Sequence, residues 1–154
     1  MKNVFLLFIF CFIVACATPP STSLNYDNAD VGTPNEEYSV LVLYRKMVPP
    51  VMYKVSASLN GKSIAQLPNK AFTWVYITKG EHEIKIKWPG IAMTPSTKIN
   101  LTAEPGRYYF VEFGGSTYVS GTGVAYNLHG AKVRTYEESV DEVRSCCGFI
   151  PSLL

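Results

Sequence analysis

Histidine and cysteine are scarce in this chain of 154 residues: it has only His82 and His129, and four cysteines. A zinc site draws three or four ligands from His, Cys and carboxylate side chains at short characteristic spacings. No HxxxH, HxH or CxxC spacing occurs, so no metal and no cofactor is expected. Both histidines read as structural residues beside turns. The many serines lack a G-x-S-x-G nucleophile elbow, and no residue is assigned a catalytic role. Gly114-Gly115 and Gly121-x-Gly123 are glycine-rich, but neither runs directly into a helical pattern. A phosphate cradle needs that helix N-terminus, so turn and bulge duty is expected there.

Charge is sparse too, with Asp, Glu, Lys and Arg making 17% of the chain. Once Lys2 is lost with the leader described below, 13 basic residues face 12 acidic ones. A near-neutral chain without a basic cluster is a poor nucleic-acid binder. Only one long unbroken apolar run exists, Val4 to Ala15. As a helix it spans roughly 18 Å at ~1.5 Å per residue, short of the ~30 Å bilayer core. Lys2, that run and the small residue Ala15 have the layout of a secretory signal peptide, residues 1–15. Ile13-Val14-Ala15-Cys16 resembles the bacterial lipobox. The resemblance implies cleavage between Ala15 and Cys16, lipidation of Cys16, and attachment to the membrane through that lipid. Ala17 next to the lipidated cysteine implies the outer membrane, on its periplasmic face. A plain secreted protein cleaved nearby is the alternative. Several acyl chains hold far better than one, at ~0.8 kcal/mol per buried CH₂.

Residues 16–37 are rich in Pro, Ser, Thr, Asn and Asp, and read as a flexible tether. The domain is expected over 38–148. Tyr38 to Arg45 is a continuous apolar run, a strand buried on both faces. Val51 to Leu59 alternates, and Asn60-Gly61 is a strong hairpin signal because a type I′ turn needs positive φ at both central residues. Strands are also expected at 62–67, 71–78, 81–88, 96–103 and 107–113, with Gly114-Gly115 ending the last. Tyr118 to Leu128 is strand-like with glycine interruptions, and 131–135 is a short edge strand. Tyr136, Val140, Val143 and Cys147 then follow a helical period. Thr135 with Glu138 fits a capping box, Gly148 fits the C′ position, and residues 149–154 read as a tail. The acidic cluster Glu137, Glu138, Asp141 and Glu142 reads as the helix's solvated face.

The Asn60-Gly61 hairpin, the Lys79-Gly80-Glu81-His82 turn, Pro105-Gly106 and the Tyr108-Tyr109-Phe110 run resemble bacterial envelope lipoproteins built on one small β-sandwich of unknown function. The pattern is similar to PEGA-type surface domains. The resemblance covers about 38–148 and implies an all-β, Ig-like or prealbumin-like antiparallel sandwich of seven or eight strands with one C-terminal helix. It transfers no catalytic residue.

The candidate binding surface is aromatic. Phe72, Trp74 and Tyr76 share one face of a strand, and Tyr109 and Phe113 are candidates for a similar face. Exposed, such residues form a platform for a sugar or protein partner; core packing is the competing expectation. Cys146 and Cys147 are a candidate redox pair. The expected order is reduced thiols first, an intermolecular bond second and a vicinal disulfide last, with Cys147 the more buried. The expected function is a non-enzymatic binding or scaffold module of the envelope, with an envelope protein or glycan as partner. The alternative is an envelope enzyme acting on glycan or peptide.

Overall fold

The alternating stretches fold as strands in a computed structural model, which describes residues 23–123 and 125–154. Nine strands lie among the described residues: β1 (Tyr38–Arg45), β2 (Val55–Leu59), β3 (Lys62–Leu67), β4 (Ala71–Thr78), β5 (Gly80–Lys87), β6 (Thr97–Ala103), β7 (Tyr108–Val119), β8 (Ala125–Arg134) and β9 (Gly148–Phe149). One α-helix, α1 (Tyr136–Cys146), precedes β9. The strands make a five-stranded sheet ordered β8-β7-β1-β4-β9 and a four-stranded sheet ordered β3-β2-β5-β6. Leu41, Leu43, Val111 and Phe113 of the first meet Val55, Ile64, Ile84 and Ile86 of the second in one core. The domain is therefore a two-sheet β-sandwich with one helix near the C-terminus.

The pairing is mainly antiparallel, as expected, but the larger sheet is mixed. β1 pairs in parallel with β7, and β4 in parallel with β9; the remaining pairings are antiparallel. The reason is visible in β1, whose residues 39–45 are all buried. A central strand covered on both faces tolerates either direction of neighbour, because its side chains are apolar on both sides.

The outer face of the large sheet carries a second core. Val40, Val42 and Tyr44 of β1, Phe72 of β4 and Phe110 of β7 pack against Val140, Val143 and Cys147 of the helix segment. Tyr26 and Ala29 complete that core, so the segment expected as tether is fastened to the domain at these two buried residues. Tyr26 lies 5.7 Å from the Phe72 ring and 6.2 Å from Phe110, and Asn25 Oδ1 caps the 3-10 turn at Tyr26–Asn28 by accepting from Asn28 N–H. One aromatic anchor offsets the ordering entropy of a polar stretch. The C-terminal tail is held likewise. Phe149 N–H donates to Leu24, Ile150 N–H to Phe72, and Leu153 N–H to Ile64.

Two local readings change. Lys79-Gly80 is a crossing between sheets, since β4 and β5 belong to different ones. β7 continues through Gly114-Gly115 and pairs with β8 as far as Val119 and Ala125. Gly115 is required there by close approach: a Cβ would lie 2.6 Å from His129 Cδ2, 2.7 Å from Leu128 O and 3.0 Å from Val48 Cγ1. The hairpin tip is closed by Gly123 at φ +80°, its N–H donating to Ser120 O. The Thr135–Glu138 capping box forms with both bonds at 3.4 Å.

Candidate functional site

The five candidate aromatics separate onto two faces of the large sheet. β4 presents Phe72, Trp74 and Tyr76 outward, opposite Tyr44, Val42 and Val40 of β1. Tyr109 and Phe113 point to the inner side, where Phe113 is fully buried and the half-buried Tyr109 packs against the same core. Phe72 is also fully buried, between Tyr26 and Phe149. Phe72 and Phe113 are core residues, which corrects their placement on a binding surface. The physical reason is the third layer: the helix and the 24–35 segment cover the outer face as the second sheet covers the inner one.

Trp74 and Tyr76 remain at the margin of that cover. Their rings meet edge to face at 5.3 Å, and Tyr38 extends the row at 5.9 Å from Tyr76. Trp74 is half-buried, while Tyr38 and Tyr76 are exposed. Gly32 lies close over the pair, and a Cβ there would fall 2.4 Å from the Tyr76 hydroxyl. Trp74 and Tyr76 form one wall of an open groove of about 380 Å³; Phe149, Pro151, Ser152 and Leu154 of the tail form the other. Such a groove offers aromatic faces and few polar anchors, and suits an apolar ring face or an extended chain.

A second cavity, of about 410 Å³, lies between the segment after β1 and the β7–β8 hairpin, bordered by Lys46, Val48, Glu112, Tyr118, His129 and Lys132. At its margin four elements contribute to one charge network. Lys46 Nζ lies 2.9 Å from Glu112 Oε1 and 2.6 Å from Glu142 Oε1. Arg134 Nε lies 3.0 Å from Glu112 Oε2, and the Tyr44 hydroxyl donates to Glu142 Oε2 at 2.7 Å. Burial and the hydrogen bond to Glu142 push the Tyr44 hydroxyl up to about 12. Burial works to raise the Glu142 carboxyl, but Lys46, Tyr44 and Arg134 outweigh it and hold the group below its ordinary value. The hydrogen bond from Lys46 to Glu142 in turn raises the ammonium, although burial opposes it. A carboxylate held ionised in this way is a structural counter-ion rather than a proton donor near neutral pH. The acidic helix face is thus not wholly solvated, since Glu142 turns inward.

The histidines serve the scaffold. His82 Nε2 lies 2.8 Å from Thr78 O and its Nδ1 lies 3.0 Å from Asn60 Nδ2, joining the Asn60-Gly61 turn to β5. His129 donates from Nε2 to Pro49 O and stacks on Phe113 at 5.9 Å. No group of three or more His, Cys, Asp and Glu residues capable of holding a metal occurs among the described residues.

Arg45 was not legible as a key residue, yet it is completely buried. Its guanidinium donates to Tyr53 O at 2.8 Å, to Leu67 O at 3.0 Å and to Val48 O at 3.0 Å, and lies 4.9 Å from the Trp88 ring centroid. Burial pulls it down to about 10, so it stays charged at neutral pH. The signal available was a cation closing an otherwise apolar strand.

Cys146 and Cys147 are joined as a disulfide, the arrangement ranked last from sequence. That ranking assumed both residues within regular helix. The helix ends at Cys146, and Cys147 is its C-cap with extended φ −131° and ψ 133°. Cys147 is buried and Cys146 half-buried. Ala15 and Cys16 lie outside the described residues, and no helix among the described residues is long and apolar enough to cross a membrane. No protein-family model matches the chain, and no curated protein sequence matches it.

Proposed function

We propose that this chain is a lipid-anchored binding or scaffold module of the bacterial envelope, attached through Cys16 on the periplasmic face of the outer membrane, with an envelope protein or glycan as its partner. The observation that carries the binding reading is the open groove walled by Trp74, Tyr76 and the C-terminal tail. Its lining is aromatic and aliphatic, with hydroxyls only on Tyr76 and Ser152. That composition favours recognition by ring stacking and apolar contact over proton transfer. The non-enzymatic reading is preferred over an envelope enzyme acting on glycan or peptide because the carboxylate lining the other cavity, Glu112, is paired with Lys46 and Arg134. The anchor reading rests on the Ile13-Val14-Ala15-Cys16 motif. The finer fold type is proposed as Ig-like or prealbumin-like, resting on the two packed sheets ordered β8-β7-β1-β4-β9 and β3-β2-β5-β6.

Two measurements test the reading. Metabolic labelling with a fatty-acid probe should mark the wild-type chain and leave Cys16→Ser unlabelled; label retained in that variant overturns the anchor. Crosslinking pull-down from the native envelope should recover a partner with wild type and lose it with Trp74→Ala plus Tyr76→Ala. Equal recovery with both overturns the groove as the site.

A further inference from the structure

Many of the exposed large apolar side chains lie at one end of the sandwich, although Tyr38 and Tyr76 stand toward the other. β1 finishes there at Arg45, and the loops 46–54, 68–70 and 88–96 and the β7–β8 tip belong to the same end, as the strand registers require. Met47, Val51 and Met52 are exposed on the first of these loops, and Ile91 and Met93 on the third, Met93 at 92%. β7 pairs with β1 only as far as Phe113. Gly114–Val119 then runs on with β8 as a two-stranded ribbon, extending roughly 20 Å further at ~3.4 Å per residue. Tyr118 and Tyr126 stack on that ribbon at 5.8 Å, with Val119 69% and Leu128 55% exposed beside them. Residues 113–131 contain no Asp, Glu, Lys or Arg.

We infer that this end of the domain rests on the phospholipid surface, with the Tyr118–Tyr126 ribbon tip inserted at the headgroup–acyl boundary. Three observations select a bilayer as occupant. Tyrosine beside aliphatic side chains, without charge, is the composition favoured at that boundary. Lys54, Lys70, Lys87 and Lys132 stand exposed toward the same end and form no ion pair among the described residues, which suits anionic headgroups. The third is the leash. Leu24 O accepts from Phe149 N–H, and Phe149 lies in register with Phe72 and so with Tyr44, next to the last residue of β1. The N-terminal segment therefore joins the domain at this end. Cys16 to Ser23 spans at most roughly 25 Å of extended chain at ~3.6 Å per residue, a length matching the reach of the ribbon. The orientation rests on the proposed lipid anchor.

The experiment uses the full lipidated chain reconstituted in phosphatidylethanolamine–phosphatidylglycerol vesicles with brominated acyl chains, and the variant Tyr118→Trp. Wild type gives the background from Trp74 and Trp88. The expected result is flotation with the vesicles, loss of the greater part of the added Trp emission to bromine, and protection of that emission from aqueous iodide. Adding Val119→Asp should restore iodide quenching. Failure to float overturns both the anchor and this inference. Flotation with the added Trp open to iodide and untouched by bromine overturns this inference alone. Protection from both quenchers overturns it as well, by placing a second copy or another protein on the ribbon.

Discussion

The two ends of the sandwich are built differently. At one end lie the Asn60-Gly61 turn, Lys79-Gly80, Glu104 to Arg107 and the 35–37 segment, short connections with charged side chains; Lys79 pairs with Glu104 at 3.1 Å. At the other lie long loops and a projecting ribbon with apolar side chains in solvent. Tight turns hold their own geometry through backbone and side-chain bonds, as Asn60 does with Glu83 and His82. Of the long loops, 88–96 is closed locally by the 3-10 turn Gly90–Ala92, whereas 46–54 is held by side chains from other segments. Arg45 acts as a latch, tying three backbone carbonyls of the apolar end to the finish of β1. The apolar end is thus held by a few long-range side-chain ties, Arg45 together with buried Asn69 to Val48 and Val51 and His129 to Pro49, whereas the polar end depends on many small local bonds.

The strongest way to break this difference is Arg45→Ala. It strands the buried carbonyls of Leu67 and Val48 and the partly buried one of Tyr53; at ~1–3 kcal/mol for each unsatisfied buried group, a total loss of about 4 kcal/mol is expected in urea unfolding. A loss below that of an exposed lysine variant would mean the loops close without the latch.

The next test separates core from groove. Phe72→Ala should cost ~3–5 kcal/mol, as large-to-small changes at fully buried aromatics do. Tyr76→Ala on the same strand face should cost under ~1 kcal/mol, because its ring is exposed. Similar values for the two would place Tyr76 in the core in solution.

Gly115→Ala and Gly121→Ala sharpen the contrast inside one hairpin. A methyl group at 115 meets the Leu128 carbonyl and the His129 ring, and overpacking of this kind costs ~1–3 kcal/mol. At 121 nothing lies within 4 Å, and the melting temperature should stay unchanged. A tolerated Gly115→Ala would show that β8 shifts to admit it.

The smallest expected effect concerns acid. The Glu142 carboxyl sits below its ordinary value when folded, so its contribution to stability is complete above the ordinary carboxylate range and is lost as pH falls through the depressed value. Glu142→Gln should therefore lower stability at pH 7 and show a narrower gap to wild type at pH 3. A constant gap across that range would disconnect Glu142 from Lys46 and Tyr44.

Much of the scaffold was legible. The Asn60-Gly61 hairpin and the Thr135–Glu138 cap announce themselves because each is closed by bonds within a few residues, and β5 and β6 because their side chains alternate. The candidate site was legible only in part. Trp74 and Tyr76 hold their place beside a groove, but Phe72 shares their strand face and is buried, since alternation reports a side and not what covers it. The polar 23–37 segment misled for the same reason: its composition outweighs Tyr26, whose burial depends on Phe72 and Phe110, residues far along the chain.

What the residues alone determined about this protein is local: where strands, turns and the helix lie, because backbone preference and side-chain period act over a few positions. Tertiary structure decided which strands share a sheet, that β7 continues through Gly114-Gly115 paired with β8, that Arg45 is enclosed by carbonyls, and that Cys146 and Cys147 meet at the helix end. Each of these depends on contacts between segments distant in sequence, whose energies exist only once the layers have come together.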